Sequence, residues 1–339
     1  MRLIDGMENI YAESVIGNVR KAQEDSYAVE LATVNGDVFV VCDGMGGHVG
    51  GKMASTIAVN SILEFLKKEK YDDPVSALDL ALQFANMQIL GYADEHPELK
   101  GMGTTACVLL LQEANAYIAH VGDSRIYLYL NDKHQLHRIT KDHSYVQTLV
   151  DAGQITDEEA ESHPNKNRIT KALGIKKELM PTVPENPIHV KTGDIFLICS
   201  DGLCGMVHDK QMLRILSQNA ALKQKGDALV ENALLNGGVD NITVELIEIS
   251  CSIFQTSNFQ SFYMVQSDEM HATAASGKSK HRNMLLLLMR FVLPAVLAIV
   301  CMLIGYVVYI KSMDTRIGNL THEIESLKDK LSADSQEIE

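Results

Sequence analysis

The segment VFVVCDGMGGHVGG, residues 38–51, combines an apolar β-branched run with an abrupt change of composition. Residues 38–42 are typical of a buried strand. Asp43 follows directly, and five of the next eight residues are glycine. Glycine lets a cation or a substrate approach a backbone carbonyl, because no side chain stands in the way. The segment therefore predicts a strand that ends in a carboxylate beside open space.

Similar apolar segments are spaced closely along the chain, with helical periodicity between some of them. The strand candidates are residues 38–42, 103–111, 116–121, 126–130, 195–199 and 242–249, and the helix candidates are residues 53–68, 75–92, 144–152 and 210–235. A parallel crossover needs about a dozen intervening residues, whereas several of these strands are joined by short turns. The spacing thus predicts antiparallel sheets with helices packed outside them.

Acidic residues recur at the ends of the strand candidates: Glu24, Asp25, Asp123, Asp201 and Asp240 join Asp43. One carboxylate at a strand end is usually a turn or cap residue. Several carboxylates gathered at one end of a sheet repel each other unless a proton or a cation lies between them. Oxygen ligands without a Cys or His cluster favour Mg²⁺ or Mn²⁺ over Zn²⁺, and two such ions can activate a shared water for attack on phosphorus.

Six motifs then carry a resemblance to a known family: RKAQED (20–25), DGMGGH (43–48), GMGTTA (101–106), HVGDSR (120–125), SDGL (200–203) and GGVDNITV (237–244). In this order they resemble the metal-dependent serine/threonine protein phosphatases of type 2C, over residues 11–249. The segments 142–156 and 163–174 are similar to the mobile flap of bacterial members. The resemblance implies an α+β fold, a four-layer α-β-β-α sandwich of two antiparallel sheets flanked by helices, with the metals at its open end.

The resemblance also assigns the metal ligands of a site for two Mn²⁺ or Mg²⁺ ions. Asp43 matches the carboxylate that bridges both ions, and the Gly44 carbonyl matches a backbone ligand. Asp201 and Asp240 match the ligands of the first metal. Glu24 matches the position that serves the second metal, directly or through water.

Further positions follow from the same resemblance. Asp123 matches the residue that, with Asp201, holds a third and weaker metal in bacterial relatives. Arg20 matches the arginine that receives the substrate phosphate, a task suited to a guanidinium fork. Asn241 and Asp25 are expected to orient the ligands rather than to bind metal.

One departure from the family concerns the proton donor. Some relatives carry a histidine, proposed as general acid, where this chain has Met45, which has no proton to donate. Two donors remain open, a metal-bound water and His48.

The composition of the chain disfavours one class of binding partner and indicates the redox state of its cysteines. The chain of 339 residues has 30 basic and 44 acidic residues, and its net charge of −14 disfavours a nucleic-acid surface. Its six cysteines occur singly, never as C-x-x-C, which is typical of reduced thiols and favours a cytosolic main domain.

The C-terminal part of the sequence has a different character. Residues 291–310 carry no charge over 20 positions, enough for one transmembrane helix, which we extend to 284–310. Four basic residues precede this segment (Lys278, Lys280, Arg282 and Arg290) and two follow it closely, so the N-terminal side is expected to be cytoplasmic. The predicted divisions are a phosphatase domain (1–250), a juxtamembrane linker (251–283), the membrane helix and a tail (311–339).

The tail has apolar residues at 317, 320, 324, 327 and 331, the spacing of a coiled coil over two heptads. Weak dimerisation through 317–331 and a solvated amphipathic helix both remain open.

The sequence as a whole predicts a single-pass membrane phosphatase. Its domain hydrolyses phosphoserine and phosphothreonine in cytoplasmic proteins with a two-metal-activated water, opposing a serine/threonine kinase, and its tail lies on the opposite side. Two rivals remain: a catalytically inactive sensing module, and a two-metal hydrolase of small phosphoesters or nucleotides.

Overall fold

The computed structural model describes residues 3, 4 and 6–250, apart from the side chain of His48. The strands of this part are β1 (Ile10–Val15), β2 (Ser26–Thr33), β3 (Gly36–Cys42), β4 (Gly44–Met45), β5 (Gly103–Thr104), β6 (Ala106–Gln112), β7 (Asn115–Val121), β8 (Arg125–Leu130), β9 (Gln135–Arg138), β10 (Ile188–His189), β11 (Ile195–Cys199) and β12 (Ile242–Glu248). Its α-helices are α1 (His48–Lys68), α2 (Pro74–Glu95), α3 (Tyr145–Asp151), α4 (Asp157–Glu161), α5 (Asp201–Cys204), α6 (Asp209–Leu216) and α7 (Leu222–Leu235).

These strands form two five-stranded sheets and one two-stranded sheet. Sheet 1 has the order β1-β12-β11-β8-β9, sheet 2 has the order β10-β7-β6-β3-β2, and β4 pairs with β5. The strand pairs are antiparallel. Apolar side chains of α1 and α2 pack on sheet 2, and those of α5, α6 and α7 pack on sheet 1. The predicted sandwich of two antiparallel sheets flanked by helices is confirmed.

The apolar run before Asp43 is explained by burial on both faces of β3. Val38, Val40 and Cys42 point toward α1 and α2, whereas Phe39 and Val41 lie in the core between the sheets. Successive side chains of a strand point to opposite faces, so a strand covered on both sides needs apolar residues at every position.

Antiparallel pairing also decides where the strand ends meet. The last residue of β3, Cys42, pairs with the first of β2, Ser26. In sheet 1, Cys199 at the end of β11 pairs with Val244 near the start of β12. The acidic residues just outside these strand ends therefore emerge at one end of each sheet.

Two predicted elements are interrupted in the structure. The strand candidate 103–111 divides into β5 and β6 at Thr105, whose N–H donates to the Asp43 carbonyl at 2.8 Å instead of extending a strand ladder. The helix candidate 210–235 is two helices, α6 and α7, separated at residues 217–221. Ser217 caps the end of α6, and the Gln224 side chain accepts from the Ala221 N–H at the start of α7. Polar residues of this kind compete for backbone hydrogen bonds and favour helix ends.

The predicted linker, membrane segment and tail, residues 251–339, lie outside the described residues. Among the described helices, none has the length and apolar character needed to cross a bilayer.

Candidate active site

Asp43 is held through its backbone by two threonines of the β5–β6 region. Its N–H donates to Thr105 Oγ1 at 2.9 Å, and its carbonyl accepts from Thr104 Oγ1 at 2.8 Å. Thr105 Oγ1 in turn lies 2.7 Å from Ser124 Oγ, in the turn that carries Asp123. These bonds fix the carboxylate of Asp43 relative to the neighbouring strand end.

Gly44 has no room for a side chain. A Cβ atom at this position would lie 2.1 Å from the carbonyl oxygen of Gly51 and 2.5 Å from that of Glu24. From the sequence, this glycine is explained by the need for an accessible carbonyl. The structure adds a second reason, because the chain before β2 and the start of α1 both approach Gly44 closely.

Asp43 and Asp201 follow strands of different sheets, and their buried carboxylates lie within electrostatic reach of each other. Burial, followed by the charges of Asp25, Asp201 and Asp123, raises the pKa of Asp43 well above its usual range. Burial and the charge of Asp240 likewise raise the pKa of Asp201. Buried carboxylates that raise each other's pKa in this way are stabilised by a proton or a cation between them.

Asp25 and Asp123 extend this acidic cluster. Burial raises the pKa of Asp25 to about 7, although hydrogen bonds from Thr243 and Ser200 act in the opposite direction. Burial and the nearby charge of Asp201 raise the pKa of Asp123 to about 8. The structure therefore brings the carboxylates predicted from separate motifs within electrostatic reach of one another.

Arg20 pairs with one of the predicted metal ligands. Its Nη2 donates to Asp240 Oδ2 at 2.6 Å, and this bond raises the pKa of the guanidinium. The Arg20 side chain is 45% exposed. The guanidinium thus lies at the solvent side of the cluster, where a phosphate could approach.

Asn241 joins several chain segments around the cluster. Its Oδ1 accepts from the Glu24 N–H at 2.8 Å, and its Nδ2 donates to the carbonyls of Ile16 and Ala22, each at 3.0 Å. Its own N–H donates to Asp240 Oδ1 at 2.8 Å. These bonds place Asn241 between the predicted ligands Glu24 and Asp240.

Glu24 is 6% exposed, and its carboxylate occupies the space above Gly51. A Cβ atom on Gly51 would lie 2.1 Å from Glu24 Oε2. Ser55 Oγ, from α1, donates to the Glu24 carbonyl at 2.5 Å. Helix α1 therefore holds the backbone of Glu24 through Ser55, and its glycine at position 51 leaves room for the carboxylate.

The chemistry of these residues fits a hard divalent cation. Oδ1 of Asp201 is buried and has no hydrogen-bond partner, which leaves an acceptor available to a cation. Among residues 3, 4 and 6–250 no three His, Cys, Asp or Glu side chains form a group that could hold an ion by themselves. Mg²⁺ commonly binds through one or two carboxylates and keeps several waters, so a carbonyl such as that of Gly44 and solvent suit the remaining positions.

Several residues that support the cluster were not identified from the sequence. Thr243 Oγ1 donates to Asp25 Oδ2 at 2.6 Å and lies 2.7 Å from Ser14 Oγ. Ser200 Oγ accepts from the Thr243 N–H at 3.1 Å and lies 3.3 Å from the Asn241 carbonyl. Their only sequence signal was their position beside acidic residues at strand ends.

The flap segment, residues 142–174, is anchored beside Asp123. Asp142 accepts two close bonds from Arg125, 3.0 Å from Nε and 2.7 Å from Nη2. His143 accepts from the Gly122 N–H at 3.1 Å through Nδ1, so its Nε2–H donates to Thr182 Oγ1 at 2.9 Å. The base of the flap is thus tied to the turn that carries Asp123.

Met45 is half-buried in β4. The structure does not identify the proton donor, which stays a prediction. His48 is the first residue of α1, and its side chain lies outside what the structure describes.

This fold and this acidic cluster define a class of enzyme. The family model described as protein phosphatase 2C matches residues 20–234, more than half of the chain, and the chain belongs to that family. It is a serine/threonine protein phosphatase, a metal-dependent phosphoric monoester hydrolase. The predicted family and enzyme class are confirmed.

Individual relatives are bacterial. The chain is 37% identical over 236 residues to the serine/threonine phosphatase Stp of Listeria monocytogenes, a match that covers 68% of this chain and 92% of that protein. The crystal structure of the Mycobacterium tuberculosis serine/threonine phosphatase PstP/Ppp superposes with a TM-score of 0.64 at 36% identity, covering 71% of this chain and 98% of that one.

A crystal structure of the PstP catalytic domain in complex with two manganese ions superposes with a TM-score of 0.63 at 34% identity, covering 71% of this chain and 98% of that chain. The predicted cofactor, two Mn²⁺ or Mg²⁺ ions, is confirmed for the family to which the chain belongs. The roles of the individual site residues stay predictions.

Proposed function

We propose that this protein is a membrane-anchored phosphatase that removes phosphate from phosphoserine and phosphothreonine of cytoplasmic proteins and so opposes a serine/threonine protein kinase. The observation that carries the hydrolytic part is the buried cluster of Asp43, Asp201 and Asp123, whose carboxylates act electrostatically on one another. Such a cluster is costly unless a proton or a cation shares it, and the buried, unpartnered Oδ1 of Asp201 belongs to it.

The proposed ligands of two Mn²⁺ or Mg²⁺ ions, and of a weaker third ion, are Asp43, Gly44, Asp201, Asp240, Glu24 and Asp123. When bound, the ions supply a water of lowered pKa and positive charge that stabilises the phosphate in the transition state. The chain's own residues hold the ligands in place. Thr105 holds Asp43, and Asn241 holds both Glu24 and Asp240.

Arg20 is the proposed binding residue for the substrate phosphate. Its guanidinium donates through Nη2 to Asp240, and Nε and Nη1 belong to the same planar fork. A fork of this kind binds two phosphate oxygens side by side, which fixes the orientation of the phosphorus. The half-exposed position of the guanidinium leaves it accessible to a phosphorylated side chain.

The proposed anchor is the uncharged segment within residues 284–310, preceded by the linker 251–283 and followed by the tail 311–339. Its length matches the apolar thickness of a bilayer. The excess of basic residues before it supports a cytoplasmic phosphatase domain and a tail on the opposite side. Residues 317–331 offer a short surface for weak dimerisation.

The proposal is tested on the full-length chain, with separated membrane and soluble fractions and a phosphothreonine peptide as substrate. We expect Mn²⁺-dependent hydrolysis in the membrane fraction and none in the presence of a chelator. Asp43→Asn should lower the rate about 100-fold or more, because a ligand is lost. The matched control is Asp79→Asn on α2. The Asp79 carboxylate accepts a solvent-exposed hydrogen bond from Gln83 and is not part of the acidic cluster.

A chain ending at residue 283 should move to the soluble fraction and keep its activity. Wild-type rates from a folded Asp43→Asn protein would contradict the proposed site. Full-length activity that stays in the soluble fraction would contradict the anchor alone, since the two results are independent.

A further inference from the structure

Exposed hydrophobic side chains are concentrated beside Arg20. Twelve large hydrophobic side chains of the described residues are exposed to solvent, and four of them lie within residues 16–19 and 235–239. Single apolar residues are common on protein surfaces, whereas a group of them indicates an interaction surface. We call these four residues the apolar rim: Ile16, Val19, Leu235 and Val239.

The apolar rim comes from two parts of the chain that are bonded to each other, the loop between β1 and β2 and the end of α7 with the loop that follows it. The Asn18 N–H donates to the Gly238 carbonyl at 2.7 Å. Asn18 Nδ2 donates to the Leu234 carbonyl at 2.9 Å. Val19 and Val239 directly follow the bonded residues Asn18 and Gly238 along the chain, so the two loops hold both valines in fixed positions.

The backbones of the two loops are in close contact. A Cβ atom on Gly17 would collide with the carbonyl oxygens of Gly238 and Asp240. Arg20, from the first loop, donates to the Asp240 carboxylate of the second at 2.6 Å. Because these contacts fix the loops before a substrate arrives, binding to the rim costs little conformational entropy.

The apolar rim adjoins the proposed phosphate-binding residue. Val19 precedes Arg20, and Val239 precedes Asp240, which accepts the hydrogen bond from Arg20. An extended polypeptide advances at most about 3.6 Å per residue, so residues one to three positions from a bound phosphoresidue lie within about 11 Å of it. These neighbours in a substrate are close enough to contact the rim.

We propose that the apolar rim binds apolar side chains next to the phosphoserine or phosphothreonine of a polypeptide substrate and so selects among phosphorylation sites. The contact removes apolar surface from water on both partners, which favours apolar over polar neighbours. The proposal rests on the phosphate-binding role proposed above for Arg20 and deepens it by naming the preferred substrate class.

The test compares two phosphothreonine peptides of equal charge, using the full-length protein with Mn²⁺. The leucine peptide has leucine at the two positions before and the two positions after the phosphothreonine, and the serine peptide has serine at all four. We expect kcat/KM to be about tenfold higher for the leucine peptide. The difference should lie mainly in KM, because the rim contacts the peptide and not the reacting phosphate.

Substitutions in the rim should reduce this preference. Val19→Ser and Val239→Ser should each lower it from about tenfold to about threefold, because each removes part of the apolar contact. The preference is a ratio measured within one variant, so a general loss of catalysis does not change it. Val19→Ala and Val239→Ala provide the same test if the serine variants fold poorly, and thermal unfolding reports the folding of each.

The matched control is Val34→Ser. The Val34 residue is 54% exposed, compared with 63% for Val19, and it lies in the turn between β2 and β3. The acidic cluster lies at the other end of these strands, where Ser26 pairs with Cys42. Val34→Ser should therefore keep the wild-type preference for the leucine peptide.

Equal kcat/KM for the two peptides, or a preference that both rim variants retain, would overturn the proposal. If a second copy of the chain covers the rim instead, Val19→Ser should lower the molecular mass in light scattering and leave the peptide preference unchanged, which also overturns it. Hydrolysis of neither peptide would contradict the proposed function and the rim with it. Equal hydrolysis of both peptides would contradict the rim alone, so the two failures are distinguishable.

Discussion

At the scale of single residues, the glycine after Asp43 serves the fold as well as the site. The carbonyls of Gly51 and Glu24 approach Gly44 so closely that a side chain there would push against the backbone of both residues. We expect Gly44→Ala to destabilise the protein by about 1–3 kcal/mol, because the contacted atoms are backbone and cannot rotate away. Chemical denaturation of the full-length protein measures the effect.

The matched control is Gly91→Ala in α2, where an added Cβ atom would meet nothing within 4 Å. Alanine is favoured over glycine inside a helix by about 0.5–1 kcal/mol, so this variant should be slightly more stable than the wild type. Equal destabilisation by the two substitutions would contradict the packing argument for Gly44.

The residues of the site divide into those that sequence could identify and those that it could not. Asp43, Asp201 and Asp240 stand out because each lies at the end of an apolar strand. One such carboxylate is common, whereas several in the same chain are not. The bonds of Asn241 and Thr243 depend on which strands become neighbours, and no local pattern reports that. Glu245 is a further example. Its strand, β12, was predicted from the apolar residues around it, but nothing in the sequence indicates that the Glu245 side chain is fully buried.

At the scale of elements, the strands and helices inside the sandwich were predicted closely because burial forces apolar residues into regular patterns. The two-residue edge strand β10 was not predicted, nor were the edge strands β1, β2 and β9. The positions of these last three strands are half-buried, so no clear alternation marks them. The flap segment was predicted from the resemblance alone, and its contacts come from the structure.

The base of the flap yields a prediction about His143. Its side chain bonds to Gly122 and Thr182, and its own backbone carbonyl accepts from the Thr170 N–H. His143→Ala should loosen this junction and speed amide hydrogen exchange in residues 142–174 about tenfold, since the loss of side-chain hydrogen bonds costs about 1–3 kcal/mol. The measurement is hydrogen–deuterium exchange with peptide resolution.

His96→Ala is the control for that experiment. His96 stacks on Tyr92 at the end of α2 and is 41% exposed, so its loss should leave the flap unchanged. The same exchange rates in the flap of wild-type and His143→Ala proteins would show that the junction does not hold the flap.

At the scale of the whole molecule, the sandwich brings together acidic residues that follow or precede different strands of the two sheets. The core between the sheets and the helices on both sides supply the apolar burial. Repulsion within the acidic cluster destabilises the folded protein, and a bound proton or cation reduces this repulsion. The stability of the protein should therefore depend on pH and on metal together.

That dependence has a definite sign. The pKa of Asp123 is raised to about 8 and that of Asp25 to about 7, so the folded protein keeps protons that the unfolded chain releases. In a chelator, the free energy of unfolding should fall as pH rises from 6.5 to 8, by at most about 1.4 kcal/mol per pH unit for each proton. Burial lowers the pKa of His143 to about 3, which costs stability below its usual value of 6.5 and hardly affects this window.

Urea denaturation at several pH values, with chelator or with Mn²⁺, measures this dependence. Mn²⁺ should flatten it, because the cation takes the place of the protons. Asp123→Asn keeps the shape of the side chain and removes one of the raised groups, so its slope in chelator should be smaller than that of the wild type. A wild-type stability that is constant or rises with pH in chelator would contradict the electrostatic account of the cluster, whatever the activity of the enzyme.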